Sequence, residues 1–148
     1  MRRSPAFTLV EILVVITIIG LLTTVAFFSL ITSRANQALS ASAEQAAEIF
    51  RRAHIFSREA KDHKTWGVKS DSQGEYMLIT YTSTPTAVQE EKKYQLERGI
   101  SFIGNFNIWF ARGTGEPDMA YTVELINHNQ VRAGIVVTTI GAIDVVPL

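Results

Sequence analysis

The N-terminal part of the chain is dominated by one uninterrupted apolar run. From Phe7 to Ile31 the sequence reads FTLVEILVVITIIGLLTTVAFFSLI, and Glu11 is the only charged residue in it. A run of about 25 apolar residues is long enough to cross a bilayer as a helix. A carboxylate inside hydrocarbon costs free energy, so it indicates a functional role and a partner of opposite charge.

After this run the apolar residues recur at three- and four-residue steps, which is typical of a helix with one buried face. Residues 32–63 contain neither Gly nor Pro and are rich in strong helix formers. The apolar stripe consists of Leu39, Ala43, Ala46, Ala47, Phe50, Ala53 and His54. We therefore predict one continuous helix from about Phe7 to Asp62.

The remainder of the chain, from residue 64 onward, alternates short apolar segments with turn residues. Strands are predicted at 65–69, 75–82, 94–96, 100–103, 106–110, 121–126, 131–138 and 142–146. The strand at 75–82 alternates only loosely, which predicts burial on both faces. The polar segment from Ser83 to Lys93 contains Pro85 and predicts an exposed loop. The predicted fold class is α+β, with the C-terminal half of the helix packed on a small antiparallel β domain.

The charged residues predict the orientation of the chain in the membrane and argue against nucleic acid as a partner. The chain has 14 basic and 14 acidic side chains, so its formal net charge is zero and it offers no electrostatic case for nucleic acid. Arg2 and Arg3 precede the apolar run, and the positive-inside rule then predicts a cytoplasmic N-terminus. Everything after about Arg34 is expected outside the cytoplasmic membrane.

Candidate chemistry is sparse. The absence of Cys excludes a thiol nucleophile and a thiolate metal site. His54 and His63 are expected on opposite sides of one helix, so they cannot share a metal. The acidic turn from Asp71 to Glu75 does not meet the pattern of a calcium loop, and a plain turn is favoured. We therefore expect no enzymatic activity, no metal and no cofactor.

A basic face on the helix is the one candidate for nucleic-acid contact. Arg51, Arg52 and Arg58 could contact DNA phosphates, but Glu48 and Glu59 are interleaved with them. A solvated helix face is the favoured interpretation of such mixed charge.

The residues around the start of the apolar run resemble those of the type IV pilin and pseudopilin superfamily. Phe7-Thr8-Leu9-Val10-Glu11 matches the box that opens the hydrophobic helix, and a short basic leader precedes it. The resemblance implies cleavage between Ala6 and Phe7 by a prepilin peptidase and N-methylation of Phe7. It also implies that Glu11 faces the N-terminal amine of a neighbouring subunit in a filament. Ala6 stands where the family usually has Gly.

The order of the strand segments resembles the GspH/FimT-type branch of minor pseudopilins and minor pilins. That resemblance implies two β-sheets packed against the helix. The implied organisation is a leader at 1–6, a transmembrane and filament-core helix at 7–31, its amphipathic continuation at 32–63 and a β-rich domain at 64–148.

The implied function is that of a structural minor subunit of a type IV pilus or a type II secretion pseudopilus. Its partners would be the prepilin peptidase, other pilin subunits, the inner-membrane assembly platform and the lipid bilayer; nucleic acid is not expected. Two alternatives stay open. One is a DNA-binding minor pilin used in DNA uptake, and the other is an uncleaved, membrane-anchored domain of another function.

Overall fold

The computed structural model describes residues 8–82 and 88–147, and for Val88, Glu90 and Glu91 it describes the backbone alone. The chain divides into two compact units between Arg34 and Ala35. The first unit holds the N-terminal part of helix α1. The second unit holds the rest of α1 and the β-strands.

Helix α1 runs from Leu9 to Arg58. In the second unit its buried residues are Leu39, Ser42, Ala43, Ala46, Ala47, Ile49, Phe50, Ala53 and Ser57. The predicted apolar stripe is therefore confirmed, with His54 half-buried at its edge. Most of these side chains are small, which lets the backbone of the helix lie close to the sheets.

The end of α1 differs from the prediction. The α-helix stops at Arg58, before the predicted end at Asp62. Ala60, Asp62 and His63 have φ values of 49°, 55° and 57°, and left-handed residues at this point end an α-helix. A short 3₁₀ helix follows at Lys61–His63. The placement of His54 and His63 on one helix was therefore wrong, as was the helical continuation over residues 59–63.

Two four-stranded antiparallel sheets complete the second unit. The strands are β1 Thr65–Ser70, β2 Tyr76–Thr82, β3 Val88–Gln95, β4 Ile100–Ile103, β5 Asn107–Phe110, β6 Tyr121–Asn127, β7 Arg132–Val137 and β8 Ile143–Pro147. The first sheet has the order β3-β2-β1-β5, and the second has the order β4-β6-β7-β8. The predicted α+β class with two sheets is confirmed.

Strand β3 corrects the largest error of the sequence interpretation. Residues 88–93, predicted as part of an exposed loop, pair with β2, for example Lys92 with Ile79. Pro85 lies outside the described residues. The strand is an edge strand, so it needs only one hydrogen-bonded neighbour and can carry charged side chains that discourage further pairing. The segment VQEEKK consequently lacks the apolar alternation that marks a half-buried strand.

The core lies between α1 and the two sheets, and aromatic rings connect its layers. Phe50 of α1 contacts Phe106, with ring centroids 5.6 Å apart. Phe106 in turn contacts Phe102 of β4, with centroids 5.0 Å apart. On the first sheet, Trp66 is buried and contacts Phe56 of α1 at 4.9 Å. Strand β2 is buried over four consecutive residues, Met77 to Thr80, as its loose alternation predicted.

Candidate functional site

Glu11 lies in the first turn of α1 and forms a capping box with Thr8. The backbone N–H and the hydroxyl of Thr8 both donate to Oε2 of Glu11, each at 2.9 Å. The N–H of Glu11 donates to Oγ1 of Thr8 at 3.2 Å. Thr8 directly precedes the first helical residue, and the acid follows three positions later, as a capping box requires.

This geometry gives Glu11 a local role in addition to its charge. The capping box satisfies N–H groups that have no partner within the helix, and it places a carboxylate at the positive end of the helix dipole. The hydrogen bonds from Thr8 go to Oε2. Among the residues that the structure describes, no donor contacts the other oxygen, Oε1.

The role of Thr8 was missed at the sequence level. The Thr-x-x-Glu spacing that marks a capping box is present in residues 8–11 and could have revealed it. Ala6 and Phe7 lie outside the described residues, so the predicted cleavage between them remains a prediction from sequence.

The threonines in and directly after the apolar run form hydrogen bonds within the helix. Four threonine hydroxyls donate to the carbonyl one turn earlier: Thr17 to Leu13 at 2.8 Å, Thr23 to Ile19 at 2.7 Å, Thr24 to Gly20 at 2.9 Å and Thr32 to Phe28 at 3.1 Å. A hydroxyl bonded in this way needs no water. These threonines are therefore compatible with hydrocarbon, where every polar group must be satisfied internally.

The apolar side chains of the first unit have no cover within the chain. Their exposed fractions range from 48% for Val14 to 81% for Leu9. The helix is long and apolar enough to cross a membrane, and its apolar 18-residue stretch is 0% buried. A core helix of a soluble protein would be buried, so this exposure favours a membrane anchor. A removable signal sequence is disfavoured because the same helix continues to residues of the core.

The three arginines considered for DNA contact do not point to one surface. Arg51 is half-buried and donates from Nη2 to the carbonyl of Ile143 in β8 at 3.1 Å. Arg52 donates from Nη1 to the hydroxyl of Tyr94 in β3 at 3.2 Å. The two neighbours are therefore directed to different sheets. Arg58 is exposed at the C-terminal end of α1.

No metal site is evident in the described part of the chain. Within residues 8–82 and 88–147 no group of three or more His, Asp or Glu side chains could hold an ion. Oδ1 of Asp71 accepts the N–H groups of Glu75 at 2.9 Å and Tyr76 at 3.1 Å. That carboxylate thus stabilises the turn before β2, in agreement with the favoured interpretation of the Asp71–Glu75 segment.

Comparisons with known proteins bear on both parts of the chain. Residues 1–27 match the family described as the prokaryotic N-terminal methylation motif. No curated protein sequence matches the chain. A solved structure of the minor pseudopilin EpsH from the type II secretion system of Vibrio cholerae is similar, with a TM-score of 0.59 and 11% identity; the match covers 74% of this chain and 96% of that one. A crystal structure of the same protein gives a TM-score of 0.59 at 10% identity, covering 75% and 97%.

At 10–11% identity the EpsH structures are evidence for the fold alone. The match of the N-terminal motif is a separate observation, made from the sequence. The motif begins in the basic leader and includes the capping box of α1. The chain therefore carries the prokaryotic N-terminal methylation motif at residues 1–27, and its fold is similar to that of the minor pseudopilin EpsH.

Proposed function

We propose that this chain is a minor pseudopilin or minor pilin that is cleaved between Ala6 and Phe7 and then added to a filament. Before assembly it is held in the cytoplasmic membrane by the apolar part of α1, with Arg2 and Arg3 on the cytoplasmic side. Its β-rich domain lies outside that membrane. The methylation motif and the EpsH-like fold support a structural role of this kind.

The proposal that the chain assembles into a filament rests on Glu11. It is the one charge of the apolar run, and no described residue donates to its Oε1. A carboxylate that becomes buried needs a cation to remain charged. Cleavage before Phe7 creates a new amine, and the amine of a neighbouring subunit pairs with Glu11 when two subunits are staggered in the filament. Such a pair fixes register, as buried polar pairs do in coiled coils.

Processing is tested by intact mass spectrometry of the membrane-extracted protein, with and without a co-expressed prepilin peptidase. A mature chain that starts at N-methylated Phe7 is expected only with the peptidase. An unprocessed Met1 chain in both samples, persisting after Ala6→Gly, would mean that the chain is an uncleaved membrane anchor. If Ala6→Gly alone restores cleavage, the residue before the cut controls processing.

Two substitutions separate the cap of the helix from the charge of Glu11. Glu11→Gln keeps a side chain that completes a capping box but removes the charge. Thr8→Ala keeps the charge and weakens the cap by about 1 kcal/mol. We expect Glu11→Gln to reduce incorporation into filaments at least ten-fold, measured against total membrane protein, and Thr8→Ala to reduce it much less. Wild-type incorporation of the Gln variant would contradict the proposed ion pair.

A further inference from the structure

A small cleft opens between α1 and the edge strand β3, on the side of the second unit where Arg52 lies. It has a volume of about 230 Å³ and is lined by Arg52, Phe56, Ile79, Lys92 and Tyr94. Ile79 is 2% exposed and belongs to the core, whereas Phe56 and Tyr94 are half-buried. Arg52 and Lys92 are both exposed. The cleft therefore has an apolar base, aromatic walls and two cations at its mouth.

The register of β3 explains why a lysine lies here. Lys92 is paired with Ile79 and Tyr94 with Met77, and both partners are core residues. Lys92 and Tyr94 are thus on the face of β3 that is turned toward α1. An inward lysine on an edge strand can also serve only to block edge-to-edge pairing. That role requires neither a second cation nor an apolar base, and both are present in the cleft.

Arg52 forms one hydrogen bond across the mouth of the cleft. Its Nη1 donates to the hydroxyl of Tyr94 at 3.2 Å. A guanidinium has five N–H groups, so the others remain for a ligand. The ammonium of Lys92 lies 5.1 Å from the centre of the Tyr94 ring. Among the side chains that the structure describes, which do not include those of Glu90 and Glu91, no carboxylate forms an ion pair with either cation.

We propose that this Arg52–Lys92 cleft binds an acidic segment of a partner protein. A carboxylate of the segment pairs with Arg52 and Lys92, and a neighbouring apolar side chain contacts Phe56 and Ile79. Nucleic acid fits the cleft less well, because a strand requires several phosphate contacts. The chain also has a formal net charge of zero, so it offers no extended basic surface for a nucleic-acid backbone.

The test is fluorescence anisotropy with the full chain in uncharged detergent micelles. The probe is a fluorescein-labelled peptide of sequence Glu-Leu-Glu-Phe-Glu, compared with its isosteric Gln-Leu-Gln-Phe-Gln version and with a ten-nucleotide oligothymidylate. We expect the acidic peptide to bind at least ten-fold more tightly than the amide peptide. Arg52→Gln and Lys92→Gln should each weaken its binding about three- to ten-fold.

The matched control is Lys93→Gln, which removes the same charge from the same strand. Lys93 is in register with Leu78, on the opposite face, and its ammonium lies over the ring of Tyr76. We expect this variant to bind the acidic peptide within two-fold of the unmodified chain. Tyr94→Phe keeps both charges but removes the hydroxyl that holds Arg52, and it should weaken binding about two- to three-fold. Circular dichroism verifies that each variant is folded.

Four outcomes would overturn the proposal. They are absence of binding by the acidic peptide, equal binding of the two peptides, equal effects of Lys92→Gln and Lys93→Gln, and indifference of peptide binding to Arg52→Gln. If oligothymidylate binds and its affinity alone falls with Arg52→Gln and Lys92→Gln, the cleft binds nucleic acid instead.

Discussion

Ser57 is the residue at which a minimal substitution should most clearly test the packing of α1 on the first sheet. Its side chain is fully buried in the last turn of the helix. Its Oγ accepts the N–H of Trp66 at 2.9 Å and donates to the carbonyl of Phe110 at 2.9 Å, with the Trp66 carbonyl farther away at 3.3 Å. Trp66 and Phe110 face each other in the β1–β5 pair. One hydroxyl therefore joins the helix to two strands.

Ser57→Ala removes this hydroxyl and leaves a buried N–H and a buried carbonyl without it. A buried polar group that loses its partner costs about 1–3 kcal/mol, so the expected loss of unfolding free energy is about 2–4 kcal/mol. That is a large part of a total stability of about 5–15 kcal/mol. With a urea dependence of about 1.5 kcal/mol per molar, the unfolding midpoint should fall by about 2 M.

Ser42→Ala is the matched control. Ser42 is also fully buried on α1, but its Oγ has no hydrogen-bond partner among residues 8–82 and 88–147. Removal of an unpaired hydroxyl should leave stability unchanged or raise it by about 1 kcal/mol. Both variants gain equally from the higher helix propensity of Ala. The difference between them therefore measures the hydrogen bonds of Ser57 together with any gain from removing the unpaired hydroxyl of Ser42.

The assay is urea unfolding of the detergent-solubilised chain, followed by the fluorescence of Trp66 and Trp109, which both lie on the first sheet. A midpoint for Ser57→Ala well below that of Ser42→Ala is expected. If the two variants unfold at the same urea concentration, the hydroxyl of Ser57 does not join α1 to the sheet, and the reasoning is refuted.

Two further predictions concern the half-buried His54. Burial, and then the charge of Arg58, lower the pKa of His54 below its ordinary value of 6.5. The stability that depends on neutral His54 should therefore be complete above pH 6.5 and be lost as the pH falls through the lowered pKa. The urea midpoint of the unmodified chain should fall between pH 7.5 and pH 5, and this fall should be smaller in the His54→Gln variant. A fall of the same size in both proteins would contradict the prediction. Gly141→Ala should destabilise the fold more than Gly104→Ala, since both glycines have φ of 80° but a Cβ at Gly141 would lie 2.5 Å from Nε2 of His54. If Gly141→Ala and Gly104→Ala lose the same free energy of unfolding, the clash is excluded. It is also excluded if adding His54→Ala does not restore the stability of the Gly141→Ala variant.

Periodicity predicted the elements whose side chains separate an apolar face from a polar one. The stripe from Leu39 to Ala53 identified the buried face of α1, and the hairpin of β6 and β7 was found from its turn and flanking apolar segments. Residues 88–93 of strand β3 were missed because their sequence, VQEEKK, has no such separation, and only the end of the strand lay in a predicted strand, 94–96. The end of α1 was missed because left-handed residues such as Ala60 have no marker in their side chains.

The two candidate sites also differ in whether the sequence alone could predict them. Glu11 could be singled out because a lone charge in an apolar run is visible in the sequence itself. The Arg52–Lys92 cleft could not, because it depends on the pairing of Lys92 with Ile79, and that register exists only once β3 is a strand. The arginines next to each other in sequence, Arg51 and Arg52, were grouped as one face, but side chains at adjacent helical positions diverge by about 100°.

The capping box leaves the charge of residue 11 unexplained, and this is the strongest physical reason to expect a cationic partner. Either Glu or Gln at the third helical position completes a capping box with Thr8. An uncharged amide would cost less than a carboxylate in an apolar environment. The helix dipole stabilises a carboxylate at this position by only about 0.3–1 kcal/mol, so a buried charge needs a further partner beyond Thr8, and no described residue donates to Oε1. Arg2 and Arg3 would leave with the leader, so the amine created at Phe7 is the cation that the proposed cleavage itself supplies. Glu11→Gln, which keeps the cap and removes the charge, tests this step directly.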